Sequence, residues 1–264
     1  MLIDTHCHLS FKAFSDTWKE VADRAFERGV LMICVSSQKD TSEKSIKIAQ
    51  SHEGVFSAIG FHPTHSQDED FDFEWFSKNA KEQKVVAIGE CGVDFYHNEG
   101  FDAKDILFKQ EDVLRRQIEI AREMSLPIIL HARDSKEKSD FSSYDELLRI
   151  IKEEDSKRCV LHCFGGTWEQ AKKFLDLGCL VSFTGIATFK NASNDLIETI
   201  KKVPKEMYMI ETDAPYLSPE PHRGEVNEPA FVEHVARAIA LIRGEEYDDI
   251  AETTTSNAKK FFNI

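Results

Sequence analysis

No stretch of this chain is long and apolar enough to span a bilayer. The longest strictly aliphatic or sulfur-containing run, Val30 to Val35, has six residues, far short of the roughly 20 that a membrane-crossing helix needs. A signal peptide is not expected either, because the opening residues reach Asp4 at once without a basic or extended apolar region. Cysteine is sparse, and Cys7, Cys34, Cys91, Cys159, Cys163 and Cys179 show no framework spacing. That argues against a disulfide-stapled scaffold and suits reduced thiols in a cytoplasmic protein. Positive charge is in deficit: 33 Lys and Arg against 47 Asp and Glu give a net charge of -14. Broad, purely electrostatic binding to nucleic acid is thereby disfavoured, and a nucleic-acid substrate would need local help from metal ions. No Pro/Gly/Ser-rich linker, low-complexity tract or fixed-period repeat divides the chain. With 264 residues and 41% hydrophobic content, the expectation is one large domain over 1–264.

What the chain does contain is alternation. Short apolar segments predict strands near 2–5, 30–35, 55–59, 84–88, 127–130, 158–161, 179–182 and 206–210, separated by amphipathic stretches. Ser15 and Asp16 are candidate caps for the first helix, Gly29 and Gly178 follow helix ends, and Pro229 suits a first turn. Phe231, Val235, Ile239 and Ile242 form one apolar stripe on what reads as the last major helix. Such alternation predicts an α/β fold with a parallel sheet, either a closed (β/α)8 TIM barrel or a doubly wound open sheet.

The polar residues favour the barrel. His6 and His8, two residues apart at the end of strand one, share a strand face, with Cys7 on the other. His62 follows strand three, Glu90 follows strand four, His131 ends strand five, His162 follows strand six and Asp213 follows strand eight. In a barrel the C-terminal strand ends converge on one mouth, whereas strands one and eight of an open sheet do not easily share a centre. His6, His8, His131, His162, Glu90 and Asp213 could then supply four imidazoles and two carboxylates to divalent metal. Six candidates fit two ions better than one. The expected allocation has Glu90 as bridge, His6, His8 and Asp213 on one ion, and His131 and His162 on the other. Two ions about 3.5–4 Å apart suit displacement at phosphorus, with Asp213 as candidate general base.

With these residues in place, the chain resembles the TatD family of metal-dependent deoxyribonucleases, within the amidohydrolase-like barrels. The resemblance rests on Asp4-Thr5-His6-Cys7-His8-Leu9, Gly60-Phe61-His62-Pro63, and Ile88 through Tyr96. It continues with His131-Ala132-Arg133-Asp134, His162-Cys163-Phe164-Gly165-Gly166, Glu211-Thr212-Asp213-Ala214-Pro215-Tyr216-Leu217, Arg223-Gly224 and Asn227-Glu228-Pro229. It implies a (β/α)8 barrel, two divalent ions on those six residues, and hydrolysis of DNA from a 3′ end; His and carboxylate ligands accommodate magnesium, manganese or zinc, and single-stranded DNA is the expected substrate. It also implies phosphate or substrate contacts near His62 and Arg133. Relatives commonly carry basic residues where this chain has Glu225 and Val226, so two positive charges are missing beside the mouth.

Each of these residues also has a plainer reading. His62 could mark a simple turn, and Arg133 could pair with Asp94 or Asp134 rather than phosphate. Cys7, Cys91 and Cys163 adjoin proposed ligands but read as small apolar residues. Asp68 to Glu74 lacks the glycine and spacing of a calcium loop and reads as an acidic helix start. Asn227 reads as a helix cap, Arg223 stays open, and His97 sits on a loop that could cover the site. Two rival functions remain: attack at a carbonyl, as in removing an aminoacyl group from tRNA, and an inactive metal-binding interaction module. Glu90 stands where many amidase relatives place a modified lysine, and no membrane or obligate protein partner is expected.

Overall fold

In the computed structural model, which describes residues 1–97, 102–136 and 141–264, the predicted strands pair into a single parallel sheet. They are β1 (Leu2–Cys7), β2 (Val30–Val35), β3 (Val55–Ile59), β4 (Val85–Asp94), β5 (Ile128–Arg133), β6 (Cys159–Leu161), β7 (Leu180–Phe183) and β8 (Tyr208–Ile210). Spatial order follows chain order, and each neighbouring pair is parallel. A bridge between Cys7 and Ala214 returns the segment after β8 to β1. The expected (β/α)8 TIM barrel is therefore the fold, and the open-sheet alternative is not.

The crossovers carry α1 (Trp18–Glu27), α2 (Lys39–Ser51), α3 (Phe73–Asn79), α4 (Ala103–Met124), α5 (Ser143–Glu153), α6 (Trp168–Leu175), α7 (Asn194–Lys202) and α8 (Val232–Arg243). Period-two alternation splits the strand residues between two cores. Met32 and Cys34 of β2 face the helices, whereas Ile33 and Val35 join Ile3, Ala58, Ala87, Ile129, Val160 and Met209 inside the barrel.

That inner cluster also holds Ala258, Phe261 and Phe262 of a further helix, α9 (Tyr247–Phe262). Sequence pattern alone does not mark α9, because its buried face includes Thr254 and Thr255, which break up its apolar stripe. Side chains tie α9 to the N-terminal strand ends. Thr255 Oγ1 donates to the Met1 carbonyl, and Asn257 Nδ2 donates to the carbonyls of Lys205 and Tyr208. The helix thus plugs the barrel floor, and each fully buried phenylalanine contributes roughly 1.5–3 kcal/mol of transfer free energy.

Three local expectations change. The N-cap of α1 is Thr17, with no side-chain capping bond, rather than Ser15 or Asp16. Glu90 does not follow β4 but lies within it. The strand continues past Gly89 because Gly92, Val93 and Asp94 pair with His131, Ala132 and Arg133. Glycine is required for that approach: a Cβ at Gly92 (φ +151°) would stand 2.0 Å from the His131 carbonyl oxygen. Asn227 is not a helix cap. Its amide donates to the Thr212 and Tyr216 carbonyls at 2.9 and 2.5 Å, tying down the loop after β8. The acidic Asp68–Glu74 stretch does open a helix, with Asp72 accepting from the Trp75 N–H as the N-cap of α3.

Candidate metal centre

A cavity of about 850 Å³ opens at the C-terminal end of the barrel, walled in part by His8, Glu90, His131, His162 and Asp213, with His6 buried beside them. The residue that organises it is Glu90. Its Oε1 lies 2.7 Å from His131 Nδ1 and 2.7 Å from His162 Nε2, while Oε2 lies 3.4 Å from His6 Nε2. On the His6 side, His8 Nε2 stands 3.3 Å from His6 Nε2 and 3.2 Å from Asp213 Oδ1. All six residues proposed as metal ligands thus meet at one mouth.

The donor set fits divalent cations. His8 Nδ1 is 2.9 Å from the Val35 carbonyl, so its proton sits there and Nε2 turns its lone pair inward. Two imidazole nitrogens 3.3 Å apart match the edge of a tetrahedron around an ion held at about 2.0–2.1 Å, roughly 3.3–3.4 Å. His6, His8 and Glu90 form one such grouping, and His62, Glu90 and His131 form another.

Burial disfavours charge on Glu90, yet the surrounding imidazoles of His162, His62 and His131 hold its carboxyl well below the usual range. Asp213, also desolvated, is held low chiefly by its contact with His8. The imidazoles respond in kind. Desolvation works against protonating His131, His162 and His8, but neighbouring carboxylates raise all three. His6, buried and facing His162, is lowered. The centre is an anionic well that draws protons or metal.

His62 stands closer to this centre than a phosphate contact requires. Its Nε2 is 3.4 Å from Glu90 Oε1, and its ring lies 4.4 Å from that of His131. Thr64 satisfies Nδ1 through its hydroxyl at 2.8 Å and its N–H at 3.3 Å. Burial pushes its pKa down to about 4, so His62 offers a neutral N–H rather than a positive charge. Arg133 is exposed at the cavity wall, its guanidinium 3.8 Å above the centre of the Tyr96 ring. Asp134 is taken up by Ser143, and Asp94 by His131 and His97. Arg223 is spent on its own loop, donating to the Ser218 carbonyl and stacking on Phe189 at 3.8 Å.

The cysteines take no part as ligands. Cys7 and Cys91 are buried with Sγ directed to the Ile33 and Ile129 carbonyls. Cys163 touches the cavity, but burial pushes its thiol up to about 12. His97 lines the cavity, and the remainder of the loop expected to cover it, residues 98–101, lies outside the described residues.

Two carboxylates to which the sequence pattern assigns no place at the centre back its histidines. Asp94 Oδ2 stands 2.9 Å from His131 Nε2, and Glu211 Oε1 stands 3.3 Å from His162 Nδ1. The signal was present in principle: each is an acid that burial would otherwise expel, sitting within four residues of Glu90 or Asp213.

A parallel barrel that gathers imidazoles and carboxylates at its C-terminal mouth is built as a metal-dependent hydrolase. Comparison with known proteins narrows that class: residues 3–263 match the family model described as TatD related DNase, and the chain belongs to the TatD family. It is 36% identical over 268 residues to an uncharacterized metal-dependent hydrolase, YabD, of Bacillus subtilis, covering all of both chains. It is 31% identical over 271 residues to the 3'-5' ssDNA/RNA exonuclease TatD of Klebsiella pneumoniae, covering all of this chain and 98% of that one. The crystal structure of YJJV, a TatD homologue from Escherichia coli, superposes with a TM-score of 0.88 at 29% identity over all of this chain and 98% of the other.

Proposed function

We propose that this protein hydrolyses phosphodiester bonds of DNA as a 3′-5′ exonuclease on single strands, using two divalent ions held by His6, His8, Glu90, His131, His162 and Asp213. The observation that carries the reading is the division of Glu90, with Oε1 facing His131 and His162 and Oε2 facing His6. That division suits a bridging carboxylate, with His6, His8 and Asp213 serving one ion and His131 and His162 the other. When bound, such a pair activates water and neutralises the attacking and leaving oxygens at phosphorus. Magnesium, manganese and zinc all accept this donor set.

The chain's own residues supply the rest. Asp213 lines the cavity and is held in its ionised form, so it can take a proton from the attacking water. His62 donates its Nε2 proton to a phosphate oxygen as a neutral group. Arg133, pre-stacked on Tyr96, grips a phosphate from the cavity wall. The name carried by the Klebsiella relative supports a nucleic-acid substrate. A net charge of -14 means that affinity depends on these few local contacts. On this reading the chain is one barrel domain over 1–264, and no obligate protein partner is expected. The unpaired cysteines support a cytoplasmic setting, and no helix among the described residues is long and apolar enough to cross a membrane.

The test uses 5′-labelled single-stranded DNA with metal-stripped protein, then with magnesium, manganese or zinc restored. A metal-dependent ladder shortening from the 3′ end, absent in Glu90→Gln, is expected, with a loss of at least about 100-fold in rate, roughly 2.7 kcal/mol. Intact DNA with every metal, alongside cleavage of an aminoacyl-tRNA ester, would transfer the assignment to carbonyl chemistry. Inertness toward both substrates in the loaded protein would favour a non-catalytic module.

A further inference from the structure

Glu211 has no place in the reading above, yet it is a deeply enclosed acid beside the centre. Its side chain is 1% exposed and, unlike Glu90, His162 and Asp213, it does not line the cavity. Among the described residues its only ion-pair partner is His162, whose Nδ1 lies 3.3 Å from Oε1. The Cys163 N–H donates to Oε1 at 2.5 Å, and the Thr5 hydroxyl reaches Oε2 at 3.3 Å while also contacting Ser182 Oγ and the Ile210 carbonyl. The carboxylate therefore braces the residue before His6 and the residue after His162 at the same time.

A desolvated carboxylate is costly unless paired, so its retention needs a reason. His162 supplies one. Its Nε2 faces Glu90 at 2.7 Å, and its Nδ1 on the opposite ring edge is buried without a well-aligned hydrogen bond. The stacked rings of His6 and His162, 4.0 Å apart and inclined by 20°, stand at the same place. A nitrogen of each and a Glu211 oxygen all lie within 4.8 Å of one another. Glu211 does not line the cavity, and its ion-pair contact is with the His162 ring, so the carboxylate acts through the imidazole rather than on an ion in the cavity.

We infer that Glu211 is a positioning residue: its carboxylate faces the Nδ1–H of His162 as acceptor, fixes the ring, and presents Nε2 to the ion on the His131 side of Glu90. This rests on the two-ion reading above. Acids that orient ligand histidines in this way typically govern metal affinity by 10–100-fold.

Glu211→Gln tests it, because the amide keeps an acceptor for the Cys163 N–H while removing the charge. Full-length metal-stripped protein is titrated with manganese by calorimetry, with metal-free thermal unfolding measured in parallel. Wild type should bind two ions. The variant should bind one with unchanged affinity and the other about 10–100-fold more weakly, with its metal-free unfolding temperature retained. Its kcat should recover at high manganese with KM unaltered. Two ions bound at wild-type affinity would overturn the role, as would a lowered unfolding temperature with both ions weakened alike, since Glu211 would then brace the barrel and not His162. If Glu211→Gln does not fold, Thr5→Val, which removes the contact to Oε2, carries the same test: selective weakening of one ion supports the role, and unchanged affinities overturn it. A wild-type protein that binds a single ion would overturn the two-ion reading, whereas loss of that one ion in Glu211→Gln would leave the grip on His162 standing.

Discussion

Asp94 Oδ2 lies 2.9 Å from His131 Nε2, and this contact turns the other nitrogen of the ring, Nδ1, toward Glu90. Asp94 is itself fixed, accepting from the N–H groups of Tyr96 and His97, and its carboxyl is held below the ordinary range despite burial, first by His131. Asp94→Asn should therefore weaken divalent-metal affinity by about 10–100-fold while leaving the fold intact. Metal titration followed by circular dichroism checks both halves. Unchanged affinity would mean that packing alone orients His131.

Metal binding should release protons. His8, His131 and His162 are raised by neighbouring carboxylates, whereas ligation requires neutral imidazole. Affinity should therefore fall as pH drops, and because all three imidazoles are raised the fall should begin above the ordinary imidazole value of about 6.5. Calorimetry in buffers of different ionisation enthalpy measures the release, and a pH-independent affinity would contradict this assignment. In the metal-free fold the raised imidazoles contribute stability that is complete below about 6.5 and is lost as pH rises through their folded values. Glu90 and Asp213, held low, contribute in the opposite sense, with a share that disappears as pH falls through their lowered values.

Arg133 is placed to bind rather than to react. Arg133→Ala should raise KM for single-stranded DNA by about 10-fold, the value of one charge-assisted contact, with kcat nearly unchanged. A fall in kcat at constant KM would place Arg133 in the reaction itself. Lysine restores the charge but should restore binding only in part, because it lacks the planar face that lies on Tyr96.

The barrel floor should be separable from the mouth. Phe262→Ala removes a buried ring from the inner core and should cost about 3–5 kcal/mol in denaturant unfolding of the metal-free protein. Manganese affinity should not change, because α9 meets the opposite ends of the strands. A coupled loss of both would show that the floor holds the metal centre in register.

The sequence by itself determined the eight strands, their parallel pairing and the six side chains at the mouth. Each of these depends on a short-range pattern: period-two alternation within a strand, and polar residues placed where an apolar run ends. Tertiary structure decided what depends on contacts between distant segments. The β pattern ends at Ile88 because Gly89 and Gly92 weaken it, yet those glycines let β4 run against the Ile129 and His131 backbone and place Glu90 inside the strand. The polar threonines of α9 hid its inward face until the barrel floor gave them a place. Asp94 and Glu211 read as two acids among 47. Only folding, which buries each against the second nitrogen of a histidine from another segment of the chain, separates them from the solvated majority. Burial of a charge depends on its neighbours in space, and so it was decided by the fold rather than by sequence spacing.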